Sequence, residues 1–424
     1  MRILTGFILL LATSSLLISP VSAEDWTLFR GPSSYGASAA TDLPTQWDGK
    51  KNILWKTELP GPGASSPVVL GDHIYVTSFS GYGMNEDEPG EKKELKRHLI
   101  CVDRTTGKVI WDKSIDADPE IEEKNFSGFV ALHGYASSTP AVDKSGVYVF
   151  FGTGGAAAFG HDGKLKWNVP CGTKTHGFGT ANSPVIYKNT VIINASVESG
   201  AIIGLSKKNG EELWRWEGVE KSWNTPILVQ ANGKDELVFN TKKTVRALAP
   251  SNGEELWTCE AMDDYICPSV IHHNGIVYAI GARKNATVAI RTGGRGDVTD
   301  THIVWQNNKG SNVSSPAYFE GHLYWASEGK GIAYCADAET GDIVYEERMD
   351  PRPDRIYASP IVADGKVYYM SRTKGAFVVA AKPEYEMLSH NVIEDDSSVF
   401  NGSPAVVDGK IYLRSNQALY CIGQ

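Results

Sequence analysis

A short motif recurs along the chain: Ser or Thr, then proline, then small or β-branched residues. It reads Ser66-Pro67-Val68-Val69, Thr139-Pro140-Ala141-Val142, Ser183-Pro184-Val185-Ile186, Thr225-Pro226-Ile227-Leu228, Ser315-Pro316-Ala317, Ser359-Pro360-Ile361-Val362 and Ser403-Pro404-Ala405-Val406. Cys267-Pro268-Ser269-Val270 is a degenerate eighth copy. Successive prolines stand 73, 44, 42, 42, 48, 44 and 44 residues apart, so only the first interval departs far from the rest. Self-similarity at such a period marks a supersecondary unit that cannot bury its apolar face alone and stacks on its neighbours. Eight copies predict eight similar units.

Within each unit an alternating run follows the proline strand, as in Gly146-Val147-Tyr148-Val149, Gly275-Ile276-Val277-Tyr278 and Gly365-Lys366-Val367-Tyr368. A period of two is the pattern of strands. A third apolar run leads into Asp103-Arg104-Thr105-Thr106-Gly107 or a cousin (Gly163, Gly210, Gly253, Gly341), and an aromatic follows four residues on: Trp111, Trp167, Trp214, Trp257 or Tyr345. The glycine supplies the positive φ of a tight hairpin, and the Asp or Asn side chain holds the turn by bonding its backbone. Each unit is thus predicted to be a four-stranded antiparallel meander, and the whole an all-β, eight-bladed β-propeller. Trp55 precedes the first motif with no blade of its own, while the last blade stops at Cys421-Ile422. The strand around Ile53-Leu54-Trp55 is therefore expected to complete blade 8 and remove an open sheet edge. Truncating Glu24 to Ala40, ahead of it, is expected to matter much less.

Phe7 to Ile18 is the one stretch apolar enough for a membrane; it follows Arg2 and ends in Val21-Ser22-Ala23, a small-x-small pattern. Residues 1–23 read as a cleaved secretory signal, and residues 24–424 as a single propeller domain. No cysteine stands near the cleavage site to take a lipid anchor. An exported, soluble, monomeric protein of periplasm or extracellular medium is expected, with no transmembrane segment after cleavage. With 41 Lys+Arg against 50 Asp+Glu, the net charge of −9 argues against a nucleic-acid partner. Six cysteines are far too few for a disulfide-built scaffold. Cys101, Cys335 and Cys421 hold equivalent strand positions and read as buried thiols; Cys259 and Cys267 bracket one loop and are the pair to test for a bridge.

Two departures interrupt the repeat. Blade 1 carries a charged insertion, roughly Gly81 to Arg97, and an acidic link from Asp112 to Tyr135; charge runs of this kind are by default solvated loops. Blade 5 carries Arg291-Thr292-Gly293-Gly294-Arg295-Gly296-Asp297, whose Arg-Gly-Asp tripeptide reads as structural in so glycine-rich a loop. No catalytic constellation rises above these. His272 and His273 are adjacent, so on a strand they point to opposite faces. Asp263-Asp264 is a candidate carboxylate pair, with a solvated turn as its plain reading.

In a propeller, the loops entering each blade and the turns between second and third strands gather around one mouth of the central channel. The entering loops bring His133, Tyr135, His176, Phe178, Trp223, Asp263, Asp264, Tyr265, Asn312, Arg355 and Tyr357; the turns of blades 4 to 8 bring Lys242, Lys243, Arg283, Lys284, Lys330, Arg372, Lys374 and Arg414. Aromatic walls with convergent cations suit an anionic, planar or sugar-like ligand, or an acidic peptide. Lysines also favour exposed turns for solubility alone.

With Ser-Pro-Val-Val, Val-Tyr and Asp-x-x-Thr-Gly-x-x-x-Trp recurring from residue 26 to 424, the chain resembles the pyrroloquinoline-quinone (PQQ)-like β-propeller repeat family. Phe29-Arg30-Gly31-Pro32 and Gly294-Arg295-Gly296-Asp297-Val298-Thr299 resemble exported, planctomycete-type members. The family includes both BamB-like assembly factors, which bind proteins, and quinoprotein alcohol dehydrogenases; shared fold does not choose between them. The resemblance to the enzymes implies PQQ held against two adjacent cysteines, an Asp base, and Glu and Asn ligands to calcium. No two cysteines are adjacent here. Trp55, Trp111, Trp167, Trp214, Trp257 and Trp305 fall on outer strands and read as blade packing, not as a cofactor stack. The expectation is a non-catalytic binding or scaffold module for a protein or cell-envelope component, with no cofactor, catalytic residue or metal. A quinone-dependent oxidoreductase, holding PQQ and calcium in a divergent site, and a carbohydrate-associated module are the alternatives.

Overall fold

The turn signature does at each blade what its chemistry requires. In blade 1, Asp103 Oδ1 accepts from the backbone N–H groups of Thr105 and Thr106 and from the Thr106 hydroxyl, and Gly107 takes φ +72°. Blade 6 repeats this at Asp337, Thr340 and Gly341. The same glycines meet the outer-strand tryptophan of the preceding blade. A Cβ at Gly107, Gly163, Gly210, Gly253 or Gly341 would come under 3.0 Å from the ring of Trp55, Trp111, Trp167, Trp214 or Trp305. The indole N–H groups of Trp55, Trp111, Trp167 and Trp305 donate to carbonyls of the next blade at 2.9–3.1 Å. Sequence turn and blade packing are thus one device.

The protein, seen here in a computed structural model that describes residues 25–33, 35–281, 283 and 286–424, is an all-β ring of eight antiparallel four-stranded blades. The expected signal, residues 1–23, and Lys284 lie outside the described residues. The innermost strands run from Val68–Leu70 in blade 1 through Ala141–Asp143, Val185–Tyr187, Ile227–Ala231, Ile271–His273, Ala317–Phe319 and Ile361–Ala363 to Ala405–Val407 in blade 8. Ile53–Glu58 is the outermost strand of blade 8, with Trp55 opposite Cys421 and Thr57 opposite Leu419, so the ring closes as expected. All six thiols are free, Cys259 and Cys267 included.

The proline motif has a second task, at the seams between inner strands. The backbone N–H of Ser66 donates to the hydroxyl oxygen of Thr139 in the next blade at 2.9 Å, and Thr139 N–H donates to Ser183 at 2.9 Å. The series continues through Thr225, Ser269, Ser315, Ser359 and Ser403, whose N–H returns to Ser66 at 3.1 Å. Eight hydroxyls and eight N–H groups form one closed collar around the channel. Each collar residue is at most 6% exposed. In blade 5 the collar residue is Ser269, after the proline, which explains why Cys267-Pro268 reads as degenerate.

Two sequence readings change and a third gains its physical reason. First, the described residues ahead of Ala40 are tied into the ring, with Trp26, Arg30, Gly31 and Gly36 buried. Trp26 exchanges both backbone hydrogen bonds with Val69, Thr27 carbonyl accepts from Val142, Tyr35 carbonyl from Tyr318, and Gly36 carbonyl from Val362. Ala37–Ser38 then pairs in parallel with the inner strand of blade 7. The segment therefore crosses the channel from blades 1 and 2 to blades 6 and 7 and closes its far opening. Second, the charged link after blade 1 is anchored, not merely solvated: Glu123 and Arg97 form a buried ion pair that also engages Thr153. Third, the glycine-rich loop of blade 5 clamps blade 4. Gly296–Asp297 pairs with Trp257 and Thr258, Arg295 reaches the fully buried Glu236 at 3.3 Å, and Asp297 is held by Thr299. The Arg-Gly-Asp tripeptide is structural, as expected.

Candidate functional site

With Phe29 of the crossing segment in its lining, the channel forms a cup of about 520 Å³ walled by residues of the entering loops. Phe29 and the collar line its base. Half of its wall is aromatic. The helix Gly128–His133, α1, sits in the link between blades 1 and 2 and presents Phe129, edge-to-face with Phe178 at 4.7 Å. Phe178 packs on Trp223 at 5.3 Å and on Tyr265 at 5.1 Å, and His176 caps both Phe178 and Trp223. Interlocked rings of this kind are stiff, broad apolar surfaces.

The other half is polar. Arg283 lies over Tyr265 at 4.9 Å, Arg355 Nη1 donates to the Tyr357 hydroxyl at 2.8 Å, and Arg372 lies over the Tyr357 ring at 5.1 Å. Asn312 Nδ2 donates to the Tyr265 hydroxyl at 2.7 Å, but Asn312 Oδ1 and Glu328 Oε2 are buried without a partner among the described residues. Buried polar atoms left unpaired are costly, so these two oxygens mark places where a donor is called for. Cys267 also lines the cup; burial pushes its thiol up to about 12, which keeps it un-ionised and a poor nucleophile at neutral pH.

Helix α1 is strapped over one side of the mouth. The Leu132 carbonyl accepts from Arg372 Nη2 at 3.0 Å and from Asn401 Nδ2 at 2.7 Å, while His133 Nε2 bonds the Phe178 carbonyl at 2.6 Å. Burial holds the His133 imidazole below its usual pKa, hence neutral. The strap joins blade 3 to blades 7 and 8.

Of the residues singled out in the sequence, His133, Trp223, Arg283 and Arg355 line the cup, with Phe178, Tyr265, Asn312 and Tyr357. Arg372 and His176 brace it from behind. Tyr135 packs under the acidic link against Phe79 and Tyr82, and Asp264 caps the Tyr265 and Arg283 backbone N–H groups at 2.8 and 3.1 Å. Lys242, Lys243 and Lys374 stand outside the cup, with Lys243 3.8 Å from Asp263. Arg414 does not reach the mouth at all: it is 1% exposed, wedged between blades 8 and 1 against Ser65, Thr77 and Ser78. The continuous cationic arc is therefore broken up by burial and pairing. Phe129, Leu132, Glu328, Cys267, Phe29 and the collar were not picked out; only the collar had a sequence signal, the recurring hydroxyl itself.

The PQQ and calcium of the family's enzymes meet a partial match. A planar polyanion would find aromatic faces and arginines. The donor set does not fit the whole group, because among the described residues the cup offers one carboxylate, Glu328, two amides, Asn312 and Asn401, the latter already spent on the Leu132 carbonyl, and a solitary cysteine. Among the described residues no cluster of three His, Cys, Asp or Glu side chains is placed to hold a metal ion.

A family model described as outer membrane protein assembly factor BamB matches residues 95–347 and 241–424. No curated protein matches the sequence. Among solved structures, BamB from Moraxella catarrhalis is similar with a TM-score of 0.61 at 13% identity, over 88% of this chain and 97% of that one. A europium-containing methanol dehydrogenase gives 0.67 at 12% identity, over 95% and 98%. Quinohemoprotein alcohol dehydrogenase from Comamonas testosteroni gives 0.63 at 13% identity, over 95% and 81%. At such identities the structures share a fold only. The family match runs from the third strand of blade 1 to the last residue and so takes in most of the ring; by that match, the chain belongs to the PQQ-like β-propeller repeat family.

Proposed function

We propose that the protein is an exported binding propeller, directed out of the cell by residues 1–23, whose cup captures a planar or ring-shaped ligand bearing negative charge. The observation that carries this reading is the division of the cup into an interlocked aromatic wall (Phe129, Phe178, Trp223, Tyr265) and a polar wall with Arg283 and Arg355. A concave site with a large apolar face and few, well-placed polar groups is how proteins hold small molecules or single inserted side chains. The description of the matching family as an assembly factor supports an envelope setting, where the ligand is a cell-envelope component or a segment of a partner protein. A quinone-dependent oxidoreductase has the dehydrogenase neighbours in its favour but lacks the donor set, so the binding reading is preferred.

Calorimetric titration of the full chain with an aromatic carboxylate, a neutral oligosaccharide and an acidic peptide tests it, with PQQ plus calcium as the enzyme arm. Anionic ring compounds are expected to bind, with Trp223→Ala weakening them about tenfold or more through lost stacking and burial. Binding that is indifferent to Trp223→Ala would remove the cup from the function. Alcohol oxidation after reconstitution would replace the binding reading with the enzyme.

A further inference from the structure

The base of the cup holds features that blade packing does not use. Every collar hydroxyl accepts an N–H from the preceding blade, yet among the described residues none donates its own proton to a protein acceptor. All eight face the cup. A hydroxyl carries one donor besides its lone pairs, so the collar presents a circle of unspent O–H groups.

Behind this circle, and not itself lining the cup, lies Arg30. Its Nη2 donates to the carbonyl of Pro316, the residue after the collar's Ser315. A Cβ at Gly36, which takes φ +69°, would overlap the guanidinium and stand 3.1 Å from the Pro360 carbonyl, next to the collar's Ser359. Arg30 is 1% exposed, its Nε and Nη1 have no partner, and no carboxylate pairs with it among the described residues. Burial alone pulls its pKa down to about 9, still charged at neutral pH. A second guanidinium, Arg414, is buried at the seam of blades 8 and 1, where its donors are spent on Ser65, Thr77, Ser78 and Ser415, again with no carboxylate partner among the described residues. A buried, uncompensated cation is among the costlier arrangements in a protein, and the Arg30 donors, unlike those of Arg414, are not used up by blade packing. Donor hydroxyls lining the closed end of a cup, with uncompensated positive charge buried behind them, form a site short of an anion.

We propose that the collar forms an anion-binding base, its hydroxyls donating to a carboxylate or other oxyanion group of whatever enters the cup and the Arg30 guanidinium behind them supplying the charge that favours it. This rests on the cup being the ligand site and adds the ligand's polarity: its charged end points down to the collar at blades 6 and 7, and its ring stays level with Phe178 and Trp223. Positive charge close behind the hydroxyls favours an anion over a neutral group, and a closed, water-poor base strengthens the effect.

The test uses the full chain with two probes, inorganic phosphate, small enough for the base alone, and benzene-1,3,5-tricarboxylate, which spans base and aromatic wall. At constant ionic strength both are expected to raise the thermal midpoint of the wild type more than chloride does. Arg30→Met should abolish the phosphate effect and weaken tricarboxylate about tenfold or more, as for loss of a nearby charge in a water-poor site, while a neutral ring probe binds unchanged. Should Arg30→Met fail to fold, Ser315→Ala with Ser359→Ala removes two donors beside the guanidinium and should weaken both probes with Arg30 in place. Equal tricarboxylate binding by wild type and variants overturns the anionic base while leaving the cup as a site. Phosphate stabilisation that depends on Arg30, with no ring compound sensitive to Trp223, would keep the base and overturn the aromatic cup instead.

Discussion

At the scale of single residues, the cost of building a ring from separate loops shows at Glu198. It is 1% exposed in the loop between the second and third strands of blade 3, accepts from the Thr180 hydroxyl through Oε1, and leaves Oε2 without a partner. The charged groups facing it, Arg97 and Glu123, are spent on each other. Burial raises its carboxyl from an ordinary 4.5 to about 7, the Thr180 bond and Arg97 opposing in part. Because the folded form keeps the proton to higher pH than the unfolded chain, the folded state binds more protons between these values. Stability from this group is therefore full below about 4.5, falls as pH rises to about 7, and is level above that, a loss of up to about 3 kcal/mol. Glu198→Gln keeps the acceptor for Thr180 and removes the titration. Urea unfolding at pH 5 and pH 8 should show the variant gaining on the wild type as pH rises; a constant difference between them would mean the carboxyl is not buried as described. None of this was legible in the sequence, because Glu198, Thr180, Arg97 and Glu123 meet only when three blades are assembled.

At the scale of elements, legibility follows the repeat. The strands, the hairpin glycines and the tryptophan seams could be read because each is stated at least five times and obeys a period of two or a fixed turn chemistry. The collar was visible as a motif but not as a hydrogen-bonded ring, since spacing along the chain does not say where a hydroxyl points. What the segment from Glu24 to Ala40 touches was not legible for the opposite reason: it occurs once, has no periodicity, and its described part gains its one short strand and its Trp26 bridge by pairing with inner strands of other blades. Its anchor is Trp26, 1% exposed, with Val69 bonded to it at 2.7 and 2.9 Å and Gly31 folded against its ring. Trp26→Ala is expected to cost about 3–5 kcal/mol, as for other buried aromatic truncations. A loss below about 1 kcal/mol, measured by chemical denaturation, would show that the segment does not plug the channel.

At the scale of the molecule, the ring differs from an open repeat array in having no ends. A solenoid's stability is a sum over neighbours, and its terminal repeats fray first. Here blade 8 takes its outer strand from Ile53–Glu58, the Trp55 indole reaches Arg104 of blade 1, and the collar bond from Ser403 to Ser66 joins the same two blades on the inside. Closure is therefore made twice, by a strand at the rim and by hydroxyls at the hub. Removing Asn52 to Thr57 should break the first and leave the second. The expected result is a lower melting temperature together with loss of the single cooperative transition, blades 8 and 1 opening before the rest as an exposed edge is created. Calorimetry reads both: the wild type should give one transition whose van't Hoff and calorimetric enthalpies agree, and the deletion two or a broadened one. A deletion variant that melts once, at the wild-type temperature, would mean that the hub alone closes the ring and that the shared strand is dispensable.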